Sequence, residues 1–146
     1  MIWFLRHGDA EHGAPDFDRR LTEKGQRQSR AAGATLAALG VKPEICLTSP
    51  RVRARETAEL ACEALGVEVA GEDRLSDGDF DPLELAAGLD DVLLVGHEPD
   101  FSTAVARLTG ARVDLKKGGL AGVEDGELRV LVRPKETKLI ATVSAR

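Results

Sequence analysis

Three short apolar runs, Ile2–Leu5, Ile45–Thr48 and Val92–Val95, punctuate this chain, and between them apolar residues recur at helical spacing. A run that is apolar at successive positions leaves no face for water, so it reads as a strand buried on both sides of a sheet. Strands of that kind have helices packed over both faces, and strand–helix–strand links run neighbouring strands parallel. The pattern therefore predicts an α/β fold: a three-layer sandwich with a mostly parallel central sheet flanked by helices. At 146 residues the chain suits one domain, residues 1–146, large enough to bury a core.

The punctuation between the strands is equally legible. Thr22 is placed to cap a helix that runs to about Leu39 and stops at Gly40, with Gly25, Ser29, Ala32, Leu36 and Leu39 as its inner stripe. Ser49 as cap and Pro50 in the first turn predict a second helix, carrying Ala54, Ala58, Ala61 and Leu65 inward and ending at Gly66. A short strand over Val67–Val69, an acidic loop from Glu72 to Asp81 and a short helix over Pro82–Leu89 follow. Pro99 opens a further helix with Phe101, Val105 and Leu108 as its core stripe. The tail has β character, with strands expected at Leu120–Val123, Leu128–Val132 and Leu139–Val143 and turns at Gly118-Gly119 and Asp125-Gly126.

Composition narrows the function classes. A formal net charge of −5 argues against a nucleic-acid binder, whose affinity rests on broad basic surfaces. No apolar stretch approaches the roughly 20 residues that a membrane helix needs, and the N-terminal apolar run ends at Arg6, too soon for a secretory leader. A cytoplasmic protein is expected, without membrane or nucleic-acid partners. Cys46 and Cys62 have no metal-binding or redox spacing and read as reduced, half-buried thiols.

Chemistry-bearing residues fall at the strand ends. Arg6, His7 and Gly8 follow the first strand, Arg53 follows the second, and His97 follows the Val92–Val95 strand. In a parallel sheet these junctions share one edge, the carboxyl ends of the strands, where open α/β sheets build their sites. Two arginines and two histidines gathered there suit a tetrahedral dianion, and helix N-termini near Pro50 and Pro99 add partial positive charge. Glycine at position 8 lets the backbone approach a ligand closely. Arg51, Arg53 and Arg55 alternate, and residues two apart on a helix diverge, so Arg53 is the one expected beside the inward stripe, with Arg51 at the rim. His12, in a polar loop, is expected to be exposed.

Arg6-His7-Gly8-Asp9-Ala10, Ser49-Pro50-Arg51-Val52-Arg53-Ala54, Thr57-Ala58 and Gly96-His97-Glu98-Pro99, taken together and in order, resemble the histidine phosphatase superfamily, the group of phosphoglycerate mutases and acid phosphatases. The short length, Leu21-Thr22-Glu23-Lys24-Gly25 and Lys116-Lys117-Gly118-Gly119-Leu120 are more similar to its compact SixA-type phosphohistidine phosphatases. The resemblance implies a phosphoglycerate mutase-like fold and a metal-independent phosphatase that works through a phosphohistidine intermediate, with no cofactor. It implies His7 as nucleophile, Arg6 and Arg53 as clamps on the phosphoryl oxygens, and His97 as the group that completes the pocket, with Gly8 beside the substrate. For His7 to attack, one ring nitrogen must be bare and the other held as a donor by a backbone carbonyl. The general acid is not fixed by the pattern: Asp9 is one candidate, and Asp77 and Asp79 in the acidic loop are others. The implied partner is a phosphorylated protein, such as a histidine-phosphotransfer domain, or else a small phosphate ester. A non-catalytic phosphate- or phosphoprotein-binding module on this fold is the alternative from another class.

Overall fold

In the computed structural model, which describes residues 1–145, six strands form one sheet in the order β3-β2-β4-β1-β5-β6. Strand β1 (Ile2–Arg6), β2 (Ile45–Thr48), β3 (Val69–Gly71) and β4 (Val92–Gly96) are parallel; β5 (Leu120–Glu124) runs antiparallel to them, and β6 (Glu127–Val132) turns back antiparallel to β5. The four parallel strands make the sheet mostly parallel, as the apolar runs predict. An Asp125-Gly126 turn, with both residues at positive φ, joins β5 to β6 as a tight hairpin.

Side chains alternate across β1, sending Trp3 and Leu5 to one face and Ile2 and Phe4 to the other. On the first face lie α1 (Glu23–Ala38), α2 (Val52–Leu65) and α5 (Pro134–Ser144), meeting the sheet through Ala32, Leu36, Ala54, Ala58, Ala61 and Ile140. The second face is covered by α3 (Pro82–Leu85) and α4 (Asp100–Thr109), through Leu85, Phe101, Ala104 and Val105. These are the three expected layers. The chain leaves β1 toward the first face and leaves the adjacent β4 toward the second. The crevice between β1 and β4 is thus the point at which the winding reverses.

The structure corrects several sequence expectations. Residues Leu139–Val143 are helical, not a strand: Pro134 opens α5, the Glu136 carboxylate accepts the Arg133 backbone N–H at 3.0 Å, and Ile140 packs on the core while Leu139 and Val143 face outward. Apolar positions 139, 140 and 143 fit one helical stripe and its margin better than a period of two. Helix α2 starts two residues late, at Val52, with Ser49 extending the end of β2 and bonded to His97 instead of serving as the N-cap. Strand β3 lies two residues beyond the expected Val67–Val69, and α3 stops at Leu85. Leu39 is exposed at the end of α1, and both cysteines are fully buried and free rather than half-buried. No helix is long and apolar enough to cross a membrane among the described residues.

Candidate active site

Strand register alone brings the key residues to one edge. Arg6 pairs with Gly96, Leu5 and Thr48 both pair with Val95, and the next residue in each chain segment is His7, His97 or Ser49. His7 N–H donates to the Gly96 carbonyl at 3.0 Å and Ser49 N–H to the Val95 carbonyl at 3.0 Å, so the ladder carries over into the site. The two imidazole rings lie 5.3 Å apart, centroid to centroid.

His7 is 7% exposed, and its Nδ1 lies 2.7 Å from the Gly8 carbonyl oxygen. A carbonyl can only accept, so Nδ1 carries the proton and Nε2 is left bare. Burial, together with the nearby Arg53, Arg6 and Lys117 charges, lowers the His7 pKa to about 4. His97 is lowered to about 3, first by burial and then by His7 and the arginines. Both rings are therefore neutral near pH 7. Nε2 of His97 is bonded to the Ser49 hydroxyl at 2.7 Å, and its Nδ1 has no partner.

The arginines are held by their ends. Arg6 Nη1 donates to the Leu115 carbonyl at 2.9 Å, and Arg53 Nη1 donates to the Asp16 carbonyl at 2.9 Å. In each guanidinium Nε is buried with no partner. Buried polar atoms nearly always find one. Among the described residues, three of the four such side-chain atoms are Arg6 Nε, Arg53 Nε and His97 Nδ1, all at this edge of the sheet. Donors gathered in this way are what an oxyanion would satisfy. Arg51 does not sit on a helix face: it caps α2 and pairs with Asp16 at 2.6 Å, at the rim as expected. Arg55 and His12 are exposed.

Tight packing fixes this frame. Gly8 N–H donates to Thr57 Oγ1 at 3.0 Å, and the same hydroxyl donates to the Arg53 carbonyl at 2.7 Å, tying the β1 end to α2. A Cβ on Gly25 would sit 2.0 Å from the Asp9 carbonyl oxygen, so only glycine lets α1 start against this loop. Gly118 N–H reaches the Arg6 and His7 carbonyls at 3.0 and 3.2 Å, which seats the Lys116–Gly119 turn beside the site.

The candidate acids lie less favourably. Asp9 accepts the Thr22 hydroxyl at 2.8 Å and Lys117 Nζ at 3.3 Å, and the Thr22 bond above all holds its carboxyl below the usual range. That favours the charged form, against the proton a general acid must carry. Asp79 pairs with Arg107 on the second face and Asp77 is exposed. Glu98 caps α4, accepting Ser102 N–H at 2.8 Å and the Ser102 hydroxyl at 2.5 Å. No three His, Cys, Asp or Glu side chains gather as a metal-ligand set among the described residues. Sequence reasoning missed two neighbours, Ser49 on His97 and Asp16 on Arg53. Ser49 is legible in the sequence only as a helix cap, and no local signal ties Asp16 to Arg53.

Comparison with known proteins supplies the family. The family model of the histidine phosphatase superfamily (branch 1) matches residues 2–91. An uncharacterized protein of Picosynechococcus sp. is 39% identical over 144 residues, covering 88% of this chain and 87% of that protein. A 2,3-bisphosphoglycerate-dependent phosphoglycerate mutase of Methylobacterium sp. is 36% identical over 91 residues, 57% of this chain but 44% of the mutase. Among solved structures, the protein histidine phosphatase SixA in complex with tungstate superposes with a TM-score of 0.81 at 26% identity, covering 92% of this chain and 97% of that one. A SixA protein from Agrobacterium tumefaciens shares the fold, with a TM-score of 0.79 at 24% identity over 91% of this chain and 97% of that one. With the family pattern running through β1, β2 and α2 and the SixA architecture spanning nearly the whole chain, this protein belongs to the histidine phosphatase superfamily and has the SixA-type fold.

Proposed function

We propose that the protein is a phosphatase that transfers a phosphoryl group to His7 and then to water, and that its substrate is phosphohistidine on another protein. The observation that carries this reading is the tautomer of His7. Nδ1–H is committed to the Gly8 carbonyl, so the Nε2 lone pair is free beside two arginines with unpaired Nε donors. In the first step Nε2 bonds to phosphorus as the substrate P–N bond breaks; the substrate ring, already protonated by solvent on its other nitrogen, keeps the electron pair and departs as neutral imidazole. In the second, water attacks phosphorus, the His7 P–N electron pair returns to Nε2, the water's proton passes to solvent, and inorganic phosphate leaves. Phosphoryl transfer asks mainly for position and for charge stabilisation, which Arg6, Arg53 and His97 are situated to supply.

The protein substrate is favoured by two features. A protonated imidazole leaves readily, so a phosphohistidine makes little demand for a general acid, and none of the candidate carboxyls is well placed to act as one. The related SixA structure is described as a protein histidine phosphatase, and its tungstate is a tetrahedral oxyanion of the kind these donors suit. A small phosphate ester is the second reading, favoured by the likeness to a phosphoglycerate mutase over 91 residues. Hydrolysis rates on a phosphohistidine protein, a phosphoserine peptide and sugar phosphates, all in EDTA, separate the two. A preference for the phosphohistidine protein is expected, and a strong preference for a sugar phosphate would overturn the substrate assignment. Oxyanion binding without turnover of any substrate would favour a non-catalytic module instead.

A further inference from the structure

Asp16 opens a single 3-10 turn, Asp16–Asp18, in the loop after β1. It touches Arg53 twice, with its carbonyl on Nη1 at 2.9 Å and its Oδ2 on Nη2 at 3.2 Å. The same Oδ2 accepts Arg51 Nη1 at 2.6 Å, and Oδ1 accepts Arg19 Nη1 at 3.0 Å. One carboxylate thus gathers three guanidinium groups, while its own side chain is 54% exposed and that of Arg53 only 10%.

The direction of these bonds matters. A guanidinium carries five N–H donors in one rigid plane, so anchoring both terminal nitrogens fixes where the Nε edge points. In Arg53 the terminal nitrogens are taken by Asp16, and Nε is buried without a partner. In Arg6 one terminal nitrogen, Nη1, is held by the Leu115 carbonyl and Nε is unpaired. Arg6 is anchored by the backbone beside its own strand. Arg53, on a helix whose neighbouring residue Arg51 is also cationic, is held instead by two acceptor oxygens of Asp16, one from the backbone and one from the side chain. A carboxylate near a phosphoryl site repels the substrate, so Asp16 is a poor choice for that place unless its grip on Arg53 outweighs the repulsion.

We propose that Asp16 is a positioning residue for phosphoryl transfer: it holds the Arg53 guanidinium by its terminal nitrogens so that the Nε edge is presented to the phosphoryl oxygens. The assignment deepens the phosphatase reading above and rests on it for the identity of the anion. It gives the Asp16-Phe17-Asp18 turn a role in the site, although the turn lies outside the sheet edge that supplies the other residues.

The test compares wild type with Asp16→Asn and Asp16→Ala in three measurements: tungstate binding by calorimetry, hydrolysis of p-nitrophenyl phosphate, and the nitrogen NMR signal of the Arg53 Nε–H group. Asp16→Ala is expected to weaken tungstate binding and to lower kcat/KM by about tenfold or more, and to move the Arg53 Nε–H signal to the averaged position of mobile arginines. Both variants keep the backbone carbonyl on Nη1, and Asp16→Asn also keeps a side-chain acceptor oxygen for Nη2, so it is expected to recover most of both losses at an unchanged melting temperature. Tungstate bound by Asp16→Ala as tightly as by wild type, or more tightly, would overturn the proposal. So would an unmoved Arg53 signal, or an asparagine variant as impaired as the alanine variant. If wild type binds tungstate but hydrolyses nothing, the phosphatase reading fails and the binding and NMR arms still decide the role of Asp16. If wild type does not bind tungstate, both fall.

Discussion

His7 and His97 stand with ring centroids 5.3 Å apart and planes tilted by 56°, both neutral because they are buried, with Arg53 and Arg6 adding to the effect at His7 and His7 and Arg53 at His97. Burial is the larger cause for both. The pair leaves a bare nitrogen on His7 for attack while His97 keeps an unpaired Nδ1 beside it.

Neutral buried histidines make stability depend on pH. Folded pKa values of about 4 for His7 and about 3 for His97 lie below the unfolded value of 6.5. Between those limits the unfolded chain binds more protons, so stability is full above pH 6.5 and is lost as pH falls toward the folded values. Each ring contributes a slope of at most about 1.4 kcal/mol per pH unit. Thermal melts from pH 7 to pH 4.5 are expected to show a falling melting temperature, with a shallower fall in His7→Gln. Imidazole NMR at pH 5.5 is expected to find His7 neutral, with its proton on Nδ1.

Arg53→Lys replaces a planar fork by a point charge on a flexible stem. It removes the bonds to Asp16 and the free Nε edge together. A loss of about 10²-fold in kcat/KM is expected, with tungstate affinity falling in parallel. Retained oxyanion affinity in this variant would place the phosphoryl group away from Arg53.

Asp9→Asn tests the one acid candidate next to His7. Its carboxylate is already committed to Thr22 and Lys117 in the charged form, so kcat on a phosphohistidine protein is expected to change by about threefold or less. A fall of about 10²-fold with an altered basic limb in the pH profile would restore Asp9 as the acid.

Gly33→Ala probes the packing that supports the site from below. The added Cβ would lie 2.2 Å from the Ala61 carbonyl oxygen, forcing α1 away from α2. Alanine gains about 1 kcal/mol in helix propensity, but overpacking against backbone costs about 1–3 kcal/mol. The clash wins, and a melting temperature lowered by several degrees is expected. A raised melting temperature would show that the helices can part freely.

Most of the architecture could be read from local patterns, because strands β1, β2 and β4 are built on short apolar runs and His7, Ser49 and His97 directly follow them. Helix α5 is the exception, because Leu139–Val143 is rich in apolar and β-branched residues while its helix signal lies upstream in Pro134 and Glu136. The bond between His7 Nδ1 and the backbone could be anticipated from the chemistry of a bare nucleophile. Its acceptor, Gly8 of the same loop, needed coordinates. Asp16 and Ser49 were invisible as site residues, since their contacts to Arg53 and His97 cross between chain segments that no local pattern links.

The central claim is that His7 Nε2 accepts the phosphoryl group. Rapid quenching of wild type during turnover of a phosphohistidine protein, followed by phosphorus NMR and peptide mapping, tests it most directly. An acid-labile phosphoryl group on Nε2 of His7, absent in His7→Ala, is predicted. A label on any other residue, or rapid turnover in His7→Ala, would contradict the account.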